Sequence, residues 1–221
     1  MDLILFILII SLPLLSQVYI SITYNKTSNI EFNKNDTGYD IARKILDKNG
    51  LNNILVVETK GTLTDHYDPT RKIIKLSSNI YHGNSIASAS VASHEVGHAI
   101  QDKEGYLFLK IRHAIFPLVS FLDRISYIVI LLGIILQYMD LVYLGIIAVS
   151  AGVLFQIITL PVEKNASKRA IQELKELNLT TPRTESLSKN MLTAAALTYV
   201  ANTLAEILQL IRLIGLTRDS D

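Results

Sequence analysis

The chain has no cysteine among its 221 residues. That excludes disulfides and any thiolate metal site, so a metal would have only histidine and carboxylate ligands here. Net charge is also nearly absent, at +1, which removes the bulk electrostatic case for a nucleic-acid partner. Histidine is scarce, with five in all. Apolar residues are in excess: 49% of the chain is hydrophobic and the mean hydropathy is +0.33. Those values are high for a soluble protein and point to a membrane.

Two of the five histidines fall in one stretch, Ala92-Ser-His-Glu-Val-Gly-His-Ala-Ile-Gln101. Within it His94-Glu95-Val96-Gly97-His98 has the H-E-x-x-H pattern. On a helix His94 and His98 project from one face, one turn apart. Two imidazoles at that spacing reach a single Zn²⁺, and Glu95 is placed to take a proton from a zinc-activated water. The pattern is a metalloprotease signature. The small residues of Ile86-Ala-Ser-Ala-Ser-Val-Ala-Ser93 let neighbouring backbones come close, which suits a buried helix. Gly97 costs such a helix about 1 kcal/mol relative to alanine. Its expected role is to admit another element on the metal side, with a tolerated weak spot the plainer alternative.

Leu3 to Ile22 is almost continuously apolar and has neither the basic start nor the small-residue cleavage site of a secretory signal, so it reads as an uncleaved anchor. An Asn-rich linker follows, and Thr37 with Asp40 then opens a short amphipathic helix stopped at Gly50. Ile54–Glu58 and Arg71–Leu76 are strand-like and separated by turns, which predicts a small antiparallel sheet. Its edge strand either binds substrate as an added strand or is an ordinary hairpin. Ser77–Asn84 is expected to be a loop, and the motif helix to run from about Ser85 to Lys103. Ile125–Met139 and Leu141–Val162 are apolar segments joined tightly, a helical hairpin of membrane-spanning length. Asp123 and Arg124 are expected at the membrane surface with Arg124 snorkelling, a functional intramembrane pair being the alternative. A charged helix follows from Pro161, then a last amphipathic helix over Leu187–Leu216, apolar enough from Ala194 to be a further span.

A zinc site needs a third protein ligand, and the candidates are His66, His82, His113 and the carboxylates. Glu163 is the first carboxylate after two apolar segments, an even number, which return the chain to the motif's side of the membrane. Several blocks carry a resemblance. Asp65-His-Tyr-Asp-Pro69, Tyr81-His-Gly83, Ala92–Gln101, Leu160-Pro-Val-Glu-Lys-Asn-Ala-Ser-Lys-Arg-Ala170 and Ala194-Ala-Ala-Leu-Thr-Tyr-Val200 are similar to the YugP-like membrane zinc metallopeptidases, related in plan to the HtpX-type gluzincins. The resemblance implies one zinc per chain, with Glu163 as third ligand on the helix after the hairpin. Related gluzincins place an aspartate where this chain has Ser167, so orientation of the ligands is expected to come from elsewhere. Lys164 also stands where an aromatic residue is usual. His82 and Tyr199 fall in the matching blocks as candidates to hydrogen-bond an oxyanion, with a structural role the plainer alternative for each. His66 is expected to hydrogen-bond within a loop, and His113 to face lipid headgroups.

The expected fold is α+β: a mostly helical multi-pass membrane protein with a zincin-like, gluzincin catalytic domain. The expected parts are an anchor (1–23), a catalytic domain (24–113), a transmembrane hairpin (114–162) and a C-terminal helical part (163–221). The expected function is zinc-dependent endopeptidase action on protein or peptide substrates at the cell membrane, in membrane protein quality control. Basic residues around the domain-side ends of the spans place the catalytic part in the cytoplasm. Two alternatives stand beside it. A site-2-type intramembrane protease would carry its motif in a membrane helix, but Ser90, Ser93, Gln101, Asp102 and Lys103 are too polar for lipid. An inactive membrane adaptor need not have kept Glu95.

Overall fold

The computed structural model describes residues 2–33 and 36–218. Its elements in chain order are α1 (Asp2–Ser28), α2 (Gly38–Lys48), β1 (Leu55–Thr59), β2 (His66–Asp68), β3 (Ile73–Ser77), α3 (Ser78–Tyr81), α4 (Ile86–Lys103), α5 (Leu107–Ile135), α6 (Met139–Glu176) and α7 (Pro182–Arg218). Two compact units emerge. One is built from Leu107–Pro161, the chain up to Gln17 and the chain from Leu197; the other from Val18–Tyr106 and Val162–Ala196.

The second unit forms around α2 and α4. Thr37 starts α2 with a capping box: its hydroxyl accepts from the Asp40 N–H at 3.2 Å while Asp40 accepts from the Thr37 N–H at 2.9 Å. Ile41, Ala42, Ile45 and Leu46 recur at helical spacing and are fully buried. Gly50, at φ +65°, ends the segment in a conformation that favours glycine. Ser85 caps α4, accepting from the Ser88 N–H at 3.1 Å. The small residues behind it, Ala87, Ala89 and Ala92, are completely buried in the same core as α2, Ile74 and Leu76.

The sheet is mixed, not antiparallel as expected. Its order is β1-β3-β2, with β2 antiparallel to β3 and β1 parallel to it. Parallel pairing needs a long crossover, and residues 60–72, which include β2 itself, supply one. The turn after Asp68 joins β2 directly to β3, so β3 takes the centre and its Ile74 and Leu76 are buried. The expected loop before α4 also contains a short helix, α3.

In the other unit, close approach of α5 and α6 relies on small residues. A Cβ at Gly145 would lie 2.4 Å from Ile130, and one at Gly133 2.7 Å from Val142. Ile130, Val142 and Ile146 form the buried cluster there, with Leu210 and Leu213 of α7 against it. Helix α6 runs unbroken through Pro161. Among the described residues α1, α5, α6 and α7 are long and apolar enough to cross a membrane, and their large apolar side chains are widely exposed. The last helix, read from sequence as amphipathic, therefore joins the candidate spans.

Candidate metal centre

Helix α4 presents His94 and His98 one turn apart, with ring centroids separated by 4.8 Å. Glu163 arrives from α6, 69 residues downstream of His94. Its Oε2 lies 3.2 Å from Nε2 of His94 and 3.6 Å from Nε2 of His98. One donor atom from each of the three falls within 4.8 Å of the others, and Glu163 is 3% exposed. A carboxylate so deeply buried requires a cationic partner. Two imidazole nitrogens and one carboxylate oxygen, with no thiolate, suit Zn²⁺.

Gly97 lets this happen. A Cβ there would meet the Ala166 carbonyl oxygen at 2.6 Å, so the glycine admits the α6 backbone beside the histidines. The role expected for it is the one it has.

Each histidine is oriented through its other nitrogen. His98 donates from Nδ1 to Oε1 of Gln101 at 3.0 Å, which leaves Nε2 facing Glu163. Gln101, fully buried, donates in turn to the Val162 carbonyl at 2.8 Å and to Oδ1 of Asn165 at 3.0 Å. On His94 the Ser167 hydroxyl lies 3.2 Å from Nδ1. This corrects the expectation that Ser167 leaves the orienting to other groups: a hydroxyl at that position is long enough to reach the ring. Gln101 was not singled out from sequence, although it follows His98 by three positions and so lies on the same helix face.

Burial alone would lower the basicity of His98. The hydrogen bond and charge of Glu163, with Glu95 adding to them, outweigh it and push the imidazole up. A metal must displace that proton to bind, so loading depends on pH.

Glu95 is 7% exposed, and its Oε2 accepts the main-chain N–H of Tyr67 at 2.9 Å. The other histidines stand apart from the three-residue group. His82 is widely exposed with Nε2 3.4 Å from Glu58, and helps line a polar cavity of about 540 Å³ with Tyr24, Asn79 and Ser88. His66 is exposed with Nδ1 2.8 Å from the Thr64 carbonyl oxygen, and His113 is exposed on α5. Tyr199, half-buried on α7, belongs to the other compact unit.

Comparison with known proteins agrees with this chemistry. Residues 2–218 match the family described as "Putative neutral zinc metallopeptidase". The chain is 46% identical over 199 residues to the "Putative membrane protease YugP" of Bacillus subtilis (strain 168), covering 90% of this chain and 88% of that protein. No solved structure matches.

Proposed function

As a member of that neutral zinc metallopeptidase family, the chain has a function to which its own residues give chemical content, and we propose that it is a membrane-bound, zinc-dependent endopeptidase. The observation carrying this is the convergence of His94, His98 and Glu163 in a buried group beside Glu95. His94, His98 and Glu163 would hold the metal. When bound, Zn²⁺ supplies Lewis acidity, acidifying a water and polarising a peptide carbonyl. Glu95 takes the water's proton and returns it to the leaving amine. Gln101 and Ser167 hold the imidazole rings in place throughout. No side chain forms a covalent intermediate.

Substrates are protein or peptide segments at the membrane, damaged or misfolded membrane proteins among them. The relative's printed description as a membrane protease and the four apolar helices support that class.

The test is metal content and cleavage of an unfolded, casein-type substrate by detergent-purified full-length protein. Glu95→Gln is expected to lose about 10²–10⁴-fold or more of the activity with zinc retained. Glu163→Ala is expected to lose most zinc and activity together. Near-normal cleavage by Glu95→Gln would overturn the mechanism, and unchanged zinc affinity in Glu163→Ala would move the third ligand elsewhere.

A further inference from the structure

Tyr67 is fastened to α4 at two points. Its main-chain N–H donates to Oε2 of Glu95 at 2.9 Å, and its phenol donates to Oδ2 of Asp102 at 2.7 Å. The ammonium of Lys72 pairs with the same Asp102 oxygen. Glu95 and Asp102 are seven positions apart on α4, hence two turns along nearly one face, about 10.5 Å. One residue therefore lies along the helix between the base and an acid.

The chain on either side is tied down as well. Asp65 accepts the Ser77 N–H at 2.7 Å, and Asp68 accepts the N–H groups of Thr70 and Arg71 at 3.0 Å each. Burial, then the Asp102 carboxylate, pushes the Tyr67 phenol well up, so it stays a proton donor at any working pH. The Lys72 charge balances Asp102, so the anchor is not an isolated buried acid.

Edge strand β2 is the natural place for a substrate to add by main-chain pairing. The N–H of Tyr67 points off the ladder, and it is already donated to Glu95. A substrate strand cannot use that donor without releasing the base. We propose that Tyr67, anchored by Asp102 and Lys72, is a positioning residue for Glu95: it fixes Oε2 and leaves Oε1 to meet the water's proton. This rests on the role of Glu95 given under Proposed function. A carboxylate pinned by one oxygen loses rotation about its terminal torsion, so its free oxygen is held in one place before substrate arrives.

Kinetics of the full-length, zinc-loaded protein in detergent test this with Tyr67→Phe and with the milder Lys72→Met. Tyr67→Phe is expected to lower kcat on the order of 10-fold or more, since small misplacements of a reacting group are costly. KM should stay within about two-fold and zinc content at one per chain. Lys72→Met should shift kcat in the same direction by less. A rise in KM at constant kcat would make β2 a substrate-binding edge and overturn the proposal, as would no change in either constant. Amide hydrogen exchange over residues 65–72 supplies a readout that needs no activity. Exchange at Tyr67 should accelerate in Glu95→Ala and in Tyr67→Phe. Equal exchange in wild type and Glu95→Ala would overturn the clamp even in an active enzyme. Protection that depends on Glu95 in a protein that cleaves nothing would leave the clamp standing and remove the peptidase function.

Discussion

A Cβ placed on Gly97 would stand 2.6 Å from the carbonyl oxygen of Ala166. The contact joins the middle of α4 to the turn of α6 that carries Glu163 and Ser167. Closeness of two backbones is thus a condition for His94, His98 and Glu163, on two helices, to come within reach of one another.

Gly97→Ala follows directly. Alanine gains about 1 kcal/mol of helix propensity, but overpacking against a rigid neighbour costs roughly 1–3 kcal/mol. A backbone oxygen held in a helix cannot step aside as a flexible side chain does, so the cost wins. The variant should purify with less than one zinc per chain and unfold at lower temperature. A raised Tm with full zinc occupancy would contradict this.

Gln101→Leu keeps the side chain's bulk but leaves the His98 Nδ1–H without its acceptor. It also removes the amide's donations to the Val162 carbonyl and to Asn165, whose Oδ1 still accepts from Arg169 Nε. Loss of a group that orients a ligand costs about 10–100-fold in metal affinity. Chelator competition should show that loss for Gln101→Leu and a smaller one for Ser167→Ala, which removes a single 3.2 Å contact. Equal zinc affinity in Gln101→Leu and wild type would show that the ring is oriented by its packing alone.

Asp65 supplies a pH dependence. Burial raises its carboxyl above the ordinary 3.8, against hydrogen bonds from Ser77 that lower it. The folded state then binds a proton more tightly than the unfolded chain. Asp65's contribution is therefore most favourable below about pH 4 and declines as pH rises through the raised value, flattening above it. Asp65→Asn should remove that decline while its amide oxygen still accepts from the Ser77 N–H. Thermal unfolding of wild type and variant across this range measures the difference. A wild type that loses stability relative to Asp65→Asn as pH falls would reverse the sign.

Charge along the chain predicts topology. Lys26 follows the first span, Lys110 and Arg112 precede the core of the second, and Lys164, Lys168 and Arg169 follow that of the third, whereas the turn between Ile135 and Met139 has no basic residue. By the positive-inside rule a reporter inserted after Gln137 should read as external and one inserted after Asn52 as cytoplasmic. The opposite pair of readings would invert the protein.

Local patterns carried much of this protein into the sequence itself. Two histidines four apart with a glutamate between them need only a helix to become half of a metal site, and Thr37 with Asp40 needs only its own backbone to cap α2. The helices long enough to cross a membrane follow from runs of apolar residues, because lipid rewards hydrophobicity wherever it occurs in the run. The expectation that Glu163 joins the histidines came from the resemblance and from the parity of those runs, a property of chain order and not of contacts, and the three side chains do converge.

The tertiary structure decided what depends on distance across the chain. Strand β1 has the same apolar pattern whichever way its neighbour runs, so only the crossover through residues 60–72 makes the sheet mixed. Ser167 and Gln101 are ordinary polar residues in the sequence, and Tyr67 falls in the stretch read as turns between the two expected strands. Their roles come from Gly97 bringing α6 against α4 and from β2 lying along α4, where a hydroxyl, an amide and a main-chain N–H fall within 3.2 Å of the groups they orient. Hydrogen bonds of that length depend on placement to tenths of an ångström, and close packing of several elements, not the periodicity of any one of them, sets placement that fine.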